Sequence, residues 1–433
     1  MSAYKNTILG IEDNSICCWL FNIGIEKEWS SQRFQMIDRE EELVVQHMEE
    51  IMLLLADEKD ILLMRHMPDE RFMEKMLRLG FQKPQILCPK ESDDSKSITE
   101  LVLEDEILLA KLRAIAQEQS VYLVPYGVTE KEQRLGNLCG MMLQGSPGVV
   151  SRRANSKLYA RQLATNLGLP CPEGVVCECI EDIPKAWERL KKNFSKVIIK
   201  RMYGASGQGL YLLDNIQKLH RVLHLLKRSD GNTGKWIVEG WYEDKTDWNA
   251  QLYIQEDGKV QIFSIKKQLL KDTVYHGSLF PMDSMDETMV QYKRQLEEVG
   301  QALYADGVRG VVGIDSIFTK EELFPVIEIN VRFTLSTYLS MLPQMFEERY
   351  FQSMYYRVPR KEELEYTKLE EKLKQKKLLF EIGKKRGIFF YNHGCMAKEN
   401  IGKTGRLFLV IVAEKWGEIK HMQQQLEQIL EEK

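Results

Sequence analysis

Two short apolar runs, KVIIK ending at Lys200 and LYLL at 210–213, enclose the glycine-rich stretch YGASGQGL (203–210). Strand character on both sides requires the chain to reverse here. Glycines suit such a tip because they reach positive φ and let backbone N–H groups approach an anion closely. Two familiar phosphate loops are excluded. A Walker-type loop needs G-x4-G-K-[ST] opening a helix, and no Lys-Ser/Thr follows Gly209. A dinucleotide fingerprint runs G-x-G-x-x-G from strand into helix, whereas this order is G-x-x-G-x-G and leads into LYLLD before Asn215 opens a helix. The stretch therefore joins strand to strand. Ser206 adds a hydroxyl donor and Lys200 a cation at its entrance. On these residues alone, a lid over phosphates and a plain hairpin with a surface lysine are equal readings.

More than a hundred residues downstream, Asp315 lies in GVVGIDSIF, and Glu328 and Asn330 lie in VIEIN. Period-2 alternation places Glu328 and Asn330 on one strand face. Two carboxylates and an amide oxygen on facing strands are the hard ligands that magnesium prefers, with nucleotide phosphates completing its octahedron. Arg332 shares that face if the strand continues, and could bind a transferring phosphoryl group or a substrate carboxylate.

At 433 residues the chain is long enough for two to four domains. Its 60 Lys+Arg against 64 Asp+Glu give a formal charge of −4, which offers no general basic field to nucleic acid or anionic lipid. The expected partners are small molecules and proteins, with no nucleic acid and no membrane. No apolar run of membrane-spanning length and no secretory leader pattern is found, so a cytoplasmic protein is expected. The eight cysteines lack zinc spacing and read as reduced, mostly packed thiols, Cys177 and Cys179 included. His220 and His224 stand at i,i+4 on a helix, off its apolar stripe, and read as solvent-facing.

The first ~145 residues alternate apolar runs (ILLM at 61–64, VYLV at 121–124) with helical patterns, which predicts a parallel, Rossmann-like sheet. The GSPG of 145–148 marks a boundary. Strand and hairpin patterns then dominate, with Asp257-Gly258 as a turn signal. Residues 361–377 are highly charged, and strands GIFFYNHG and RLFLVIVAE precede a terminal helix. The expected fold class is α/β and α+β multidomain. Its divisions are 1–148, a Rossmann-like N-terminal domain; 149–235, a small subdomain carrying the glycine lid; 236–350, a nucleotide and metal subdomain; and 351–433, a charged linker and small α+β C-terminal subdomain.

Taken in order, Lys157 in NSKLYAR, Lys200, the glycine stretch, the acidic hinge WIVEGW, Asp247, Asp315 and EINVR resemble the ATP-grasp superfamily over roughly 150–345. The resemblance implies ATP as cosubstrate and Mg2+, with Mn2+ as a substitute, as the metal. It implies that Lys157 and Lys200 contact phosphates, with Lys200 also counted as catalytic, and that Gly204, Ser206, Gly207 and Gly209 close over them. Glu239 and the backbone near Trp241 would meet the adenine edge, Asp247 would hold the ribose, and Asp315, Glu328 and Asn330 would ligate the metal. Gly240 stands where a lysine often follows the hinge glutamate. A further phosphate cation is expected from SIKKQLLKD, where Lys266, Lys267 and Lys271 compete and Lys267 is favoured.

The HGS turn (276–278) and the domain order look like the amino-acid and peptide ligases of antibiotic pathways, including butirosin-type ligases that load L-glutamate onto an acyl carrier protein. The implied chemistry is ATP-dependent activation of a carboxylate as an acyl phosphate, then capture by a carrier thiol or an amine. Arg332 and Lys200 would stabilise the transfer, and His276 would orient the incoming group or act as a base. A peptide ligase, a phosphotransferase and a non-catalytic ATP-binding protein are the alternatives. The expected partners are an amino acid and an acyl carrier protein, with a homodimer as the oligomeric option.

Overall fold

The structure, a computed structural model, describes residues 3–29, 44–204, 209–230, 234–271, 273–281, 287–346, 349–359, 366–397 and 404–431. Three sheets follow one another along the chain. The first holds β1 (Ile16–Leu20), β2 (Ile61–Leu63), β3 (Gln85–Leu87), β4 (Val121–Pro125) and β5 (Met142–Leu143), all parallel, in the order β3-β2-β1-β4-β5. Its central strand, ICCWL, is buried throughout, as a parallel strand covered on both faces must be. Asp60 anchors this sheet: its buried carboxylate accepts from the N–H groups of Cys17 and Asp57 and from Trp19 Nε1, at 2.9–3.0 Å.

The second sheet is small and antiparallel. It comprises β6 (Gly174–Cys177), β7 (Val197–Arg201), β8 (Leu210–Leu213) and β9 (Trp236–Gly240), in the order β6-β9-β7-β8. β7 and β8 pair antiparallel, Lys200 opposite Leu210, so the glycine stretch connects two adjacent strands of a hairpin. Gly209 holds φ at +75°, and a Cβ there would lie 3.0 Å from Arg201 Cβ. Ser206 and Gly207 lie outside the described residues.

The third sheet has eight strands: β10 (Thr246–Ile254), β11 (Val260–Lys271), β12 (Val274–Phe280), β13 (Gly310–Phe318), β14 (Leu323–Asn330), β15 (Tyr350–Pro359), β16 (Gly387–Phe390) and β17 (Thr404–Ala413). They run β14-β13-β10-β11-β12-β15-β17-β16. One face is covered by the helix Glu287–Ala305, whose buried Met289, Tyr292, Leu296, Val299 and Leu303 recur every three or four residues. The C-terminal strands extend this same sheet, and the helix Trp416–Glu431 packs on β15 and β17 through Ile419, Met422, Leu426 and Ile429. Among the described residues no helix is long and apolar enough to cross a membrane.

The HGS motif is strand rather than turn: His276, Gly277 and Ser278 lie inside β12, and Gly277 pairs with Met354 of β15. The glycine is there for space. A Cβ would sit 1.9 Å from the Ser353 carbonyl oxygen, so a side chain must part the seam that joins the C-terminal strands to the sheet. Gly277→Ala is expected to cost about 3 kcal/mol in urea unfolding, and a loss below about 0.5 kcal/mol would show that the seam yields.

Candidate active site

A cleft opens between the small and large sheets. Lys200 and Gly204 line it from the small-sheet side; Lys157 lines it from the start of the helix Lys157–Asn166, which packs on β14, and Asp247, Gln268, Asp315 and Glu328 line it from the large sheet. Glu239, Trp241 and Lys245, at and beyond the end of β9, form the hinge between them.

The acidic wall follows from strand register. Asp315 of β13 lies opposite Glu328 of β14 and opposite Asn249 of β10, so all three side chains share one face. Asp315 Oδ1 accepts from Asn249 Nδ2 at 2.8 Å and Gln268 Nε2 at 2.9 Å; its Oδ2 accepts from Asn330 Nδ2 at 3.3 Å. Burial, reinforced by the adjacent Glu328 carboxylate, raises the Asp315 pKa. A divalent cation suits such a pair, because it offsets two crowded charges that otherwise repel in a desolvated place. Among the described residues no three His, Cys, Asp or Glu side chains gather as a metal cluster. The residues that could hold it are Asp315, Glu328 and Asn330, whose amide oxygen also accepts from Arg332.

The cations face this wall, and each already holds a carboxylate. Lys157, at the start of the helix Lys157–Asn166, donates to Glu328 Oε1 at 2.6 Å and to the Gly204 carbonyl at 3.2 Å. Lys200 contacts Glu239 Oε2 at 2.5 Å, and Arg161 donates to the other oxygen at 2.8 Å. The Glu239 carboxylate is therefore held between two cations. At the hinge the Gly240 and Trp241 N–H groups are spent on the Glu173 and Lys196 carbonyls. A Cβ at Gly240 would lie 2.4 Å from the Phe194 ring, which would have to shift to admit a side chain. Asp247 is bonded to Lys245, whose ammonium lies 4.5 Å from the centre of the Trp241 ring.

Three expected residues stand elsewhere. Lys267 pairs with Trp248, which packs on Tyr292 and Phe318 under the helix Glu287–Ala305, so strand parity turns it away from the cleft. Its neighbour Lys266 shares the face of Asn249 but is fully buried, bonded to the Ser336 carbonyl at 2.6 Å and Ser340 Oγ at 2.8 Å. His276 packs against Tyr355 at 4.8 Å between ring centres, outside the cleft lining. Burial, then Lys271 and Arg357, lowers its pKa. Arg332 is buried behind Asn330: Nη2 donates to Asn330 Oδ1 at 2.8 Å, Nη1 to Tyr126 Oη at 3.0 Å and to the Phe333 carbonyl, and Nε lies 2.6 Å from Glu26 Oε1. Glu26 and Tyr126 come from the N-terminal sheet region, which thereby touches the acidic wall. His220 and His224 are exposed, and all eight cysteines are free thiols.

Comparison with known proteins matches residues 48–141 to the Pre ATP-grasp domain and residues 154–336 to the ATP-grasp domain, together more than half of the chain. The chain belongs to the ATP-grasp family. This ATP-grasp ligase is 28% identical over 337 residues to the [butirosin acyl-carrier protein]–L-glutamate ligase of Niallia circulans, spanning 76% of this chain and 75% of that protein. Over 117 residues, 27% of this chain and 32% of the other, it is 29% identical to the tetrahydromethanopterin:alpha-L-glutamate ligase of Methanosarcina acetivorans. It shares its fold with N5-carboxyaminoimidazole synthetase from Staphylococcus aureus complexed with ADP (TM-score 0.57, 11% identity, 96% of this chain and 98% of that one). The biotin carboxylase domain of Hydrogenobacter thermophilus 2-oxoglutarate carboxylase, with MgADP, is similar to the same degree (TM-score 0.58, 13% identity, 95% and 89%).

In the ATP-grasp ligase, sequence reading missed Arg161, Lys245, Gln268, Glu26 and Tyr126. Gln268 carried a signal: it lies two residues from Lys266 on a strand whose parity, once known, puts it beside Asp315. Glu26 and Tyr126 carried none, because their role depends on a contact with Arg332 across two domains.

Proposed function

We propose that the protein is an ADP-forming carboxylate ligase. It would join an amino acid, with L-glutamate the first candidate, to an acyl-carrier-protein thiol. The observation that carries this reading is one cleft in which the Asp315–Glu328 carboxylate pair faces Lys157 and Lys200. The L-glutamate and carrier assignment rests on the Niallia relative, which is similar over three quarters of both chains.

In this reading ATP phosphorylates the substrate carboxylate and the carrier thiol displaces phosphate from the acyl phosphate. Lys157 would exchange Glu328 for a phosphate oxygen, Lys200 would add one while keeping Glu239, and Glu328, Asp315 and Asn330 would hold Mg2+. Bound magnesium would neutralise charge developing on the transferring phosphoryl group. The β7–β8 hairpin, with Gly204 and Gly209 and with Ser206 and Gly207 between them in sequence, would close over the phosphates and keep water from the acyl phosphate. Glu239 sets the two cations at the hinge, Trp241 borders the base, and Asp247 accepts from the ribose. Arg332 positions Asn330 from behind rather than meeting substrate in this arrangement. We assign residues 1–148, 149–235, 236–350 and 351–433 as the four functional divisions, the last built onto the sheet of the third.

Incubation with ATP, Mg2+, L-glutamate and candidate carrier proteins tests the acceptor. A glutamyl mass added to the carrier's thiol is expected. Formation of a free dipeptide with an unchanged carrier would make the protein a peptide ligase instead.

A further inference from the structure

Among the described residues, Lys245 is the one cleft lysine to which neither the glycine hairpin nor the acidic wall gives a role. It lies outside regular strand, between β9 and β10, yet its side chain is only 8% exposed. Lys245 lines the same cleft as Lys157, Lys200 and Glu328. A surface lysine would extend its ammonium into water; this one folds back over the Trp241 ring and onto Asp247.

Burial, its largest influence, lowers the Lys245 pKa, and the neighbouring Lys200 adds to that while Asp247 opposes it. Lys245 with Asp247 and, more remotely, Asp315, and Lys200 with the Glu239 carboxylate that Arg161 shares, place two ammonium groups in one desolvated cleft, a setting that suits a further anion.

We propose that Lys245 is a nucleotide-contacting residue whose ammonium binds the phosphate nearest the ribose. The inference rests on the reading of this cleft as the nucleotide site. The strand position of its partner Asp247 sets which phosphate Lys245 meets. Asp247, its partner, precedes Asn249 by two residues on β10, and Asn249 is the residue opposite Asp315. Lys245 is thus anchored about 7 Å along the strand from the metal-binding row. Lys157, paired with Glu328, marks the far end of the phosphate chain; Lys245, beside the hinge tryptophan, marks the near end. When nucleotide binds, Asp247 accepts from a ribose hydroxyl and Lys245 keeps Asp247 while adding a phosphate oxygen. An ammonium has three donors, enough for both.

The competing role is purely structural: Lys245 could serve only to hold Asp247 in place. Direct binding measurements with AMP and adenosine, by calorimetry or by fluorescence of the hinge tryptophan, separate the two. Wild-type protein is expected to bind AMP more tightly than adenosine. In Lys245→Met the AMP-to-adenosine affinity ratio should fall about tenfold or more, the worth of a charge-assisted hydrogen bond, with adenosine binding little changed. Asp247→Asn should weaken both ligands while keeping the ratio. Lys218→Met, on the exposed face of the helix Ile216–Asp230, should match wild type.

A Lys245→Met protein whose ratio stays within about twofold of wild type, or that loses adenosine and AMP equally, overturns the proposal, as does wild-type protein that does not distinguish the two ligands. Lys245→Gln is the second variant should the methionine protein not fold, and is read by the same ratio. Failure of the ligase chemistry would leave this ratio intact, so the two readings fail separately.

Discussion

Glu328→Gln is expected to give a folded protein that retains nucleotide binding but turns over at least about 10²- to 10³-fold more slowly, because it removes one of the two carboxylates proposed to hold magnesium. The substitution is close to isosteric and keeps an acceptor for Lys157, which lies 2.6 Å from Glu328 Oε1, so the helix Lys157–Asn166 should stay in place. It also relieves the repulsion that helps raise the Asp315 pKa. Metal affinity should fall while thermal stability is held or slightly increased. Steady-state rates at saturating ATP across a magnesium titration check this. A variant within about threefold of wild type at every magnesium concentration would remove Glu328 from the ligand set.

A second large effect is expected at Glu239, and it should appear in stability as well as in binding. The carboxylate is 5% exposed and lies between Lys200 and Arg161, at 2.5 and 2.8 Å. Glu239→Ala strands both cations without a counter-ion, at an expected cost of about 3–5 kcal/mol. Glu239→Gln should cost less, since it keeps the shape and one acceptor. The loss is local to the small sheet, where β9 is paired on both edges by β6 and β7. Hydrogen exchange should therefore quicken in 174–240 before it does in the N-terminal sheet. ATP affinity should weaken in parallel, because Lys200 and the glycine hairpin lose their fixed base. An alanine variant as stable as wild type, with unaltered exchange in that sheet, would mean that the triad is solvated in practice.

What could be read from the sequence divides along the range of the interactions. Glu328 and Asn330 were legible as a same-face pair because strand alternation is local, and the glycine hairpin because apolar runs flank it. The parallel N-terminal sheet was legible from its alternating runs, although its central strand, ICCWL, went unnamed because five buried residues carry no alternation. Asp315 was grouped with Glu328, but that the two stand directly opposite was not legible: it needs the β13–β14 register, which shifts between Asp315 and Ile317.

Strand parity explains the misplaced residues. Lys266 and Lys267 are indistinguishable by type, and only the register with β10 turns one toward the polar face and the other under a helix. His276 fails the same way, since its neighbour Tyr275 takes the cleft position. Arg332 follows EIN in sequence, but Glu26 and Tyr126 draw it toward the N-terminal sheet. That contact links residues 306 and 206 positions apart, and no local pattern encodes it.

Central to this account is transfer of the γ-phosphoryl group to a carboxylate, and it is tested most directly by trapping. With ATP, Mg2+, L-glutamate and hydroxylamine, a hydroxamate is expected together with an equal amount of ADP, both lost in Glu328→Gln. Hydroxamate formed with AMP and pyrophosphate would contradict it, and so would the absence of ADP with every carboxylate of an amino-acid panel.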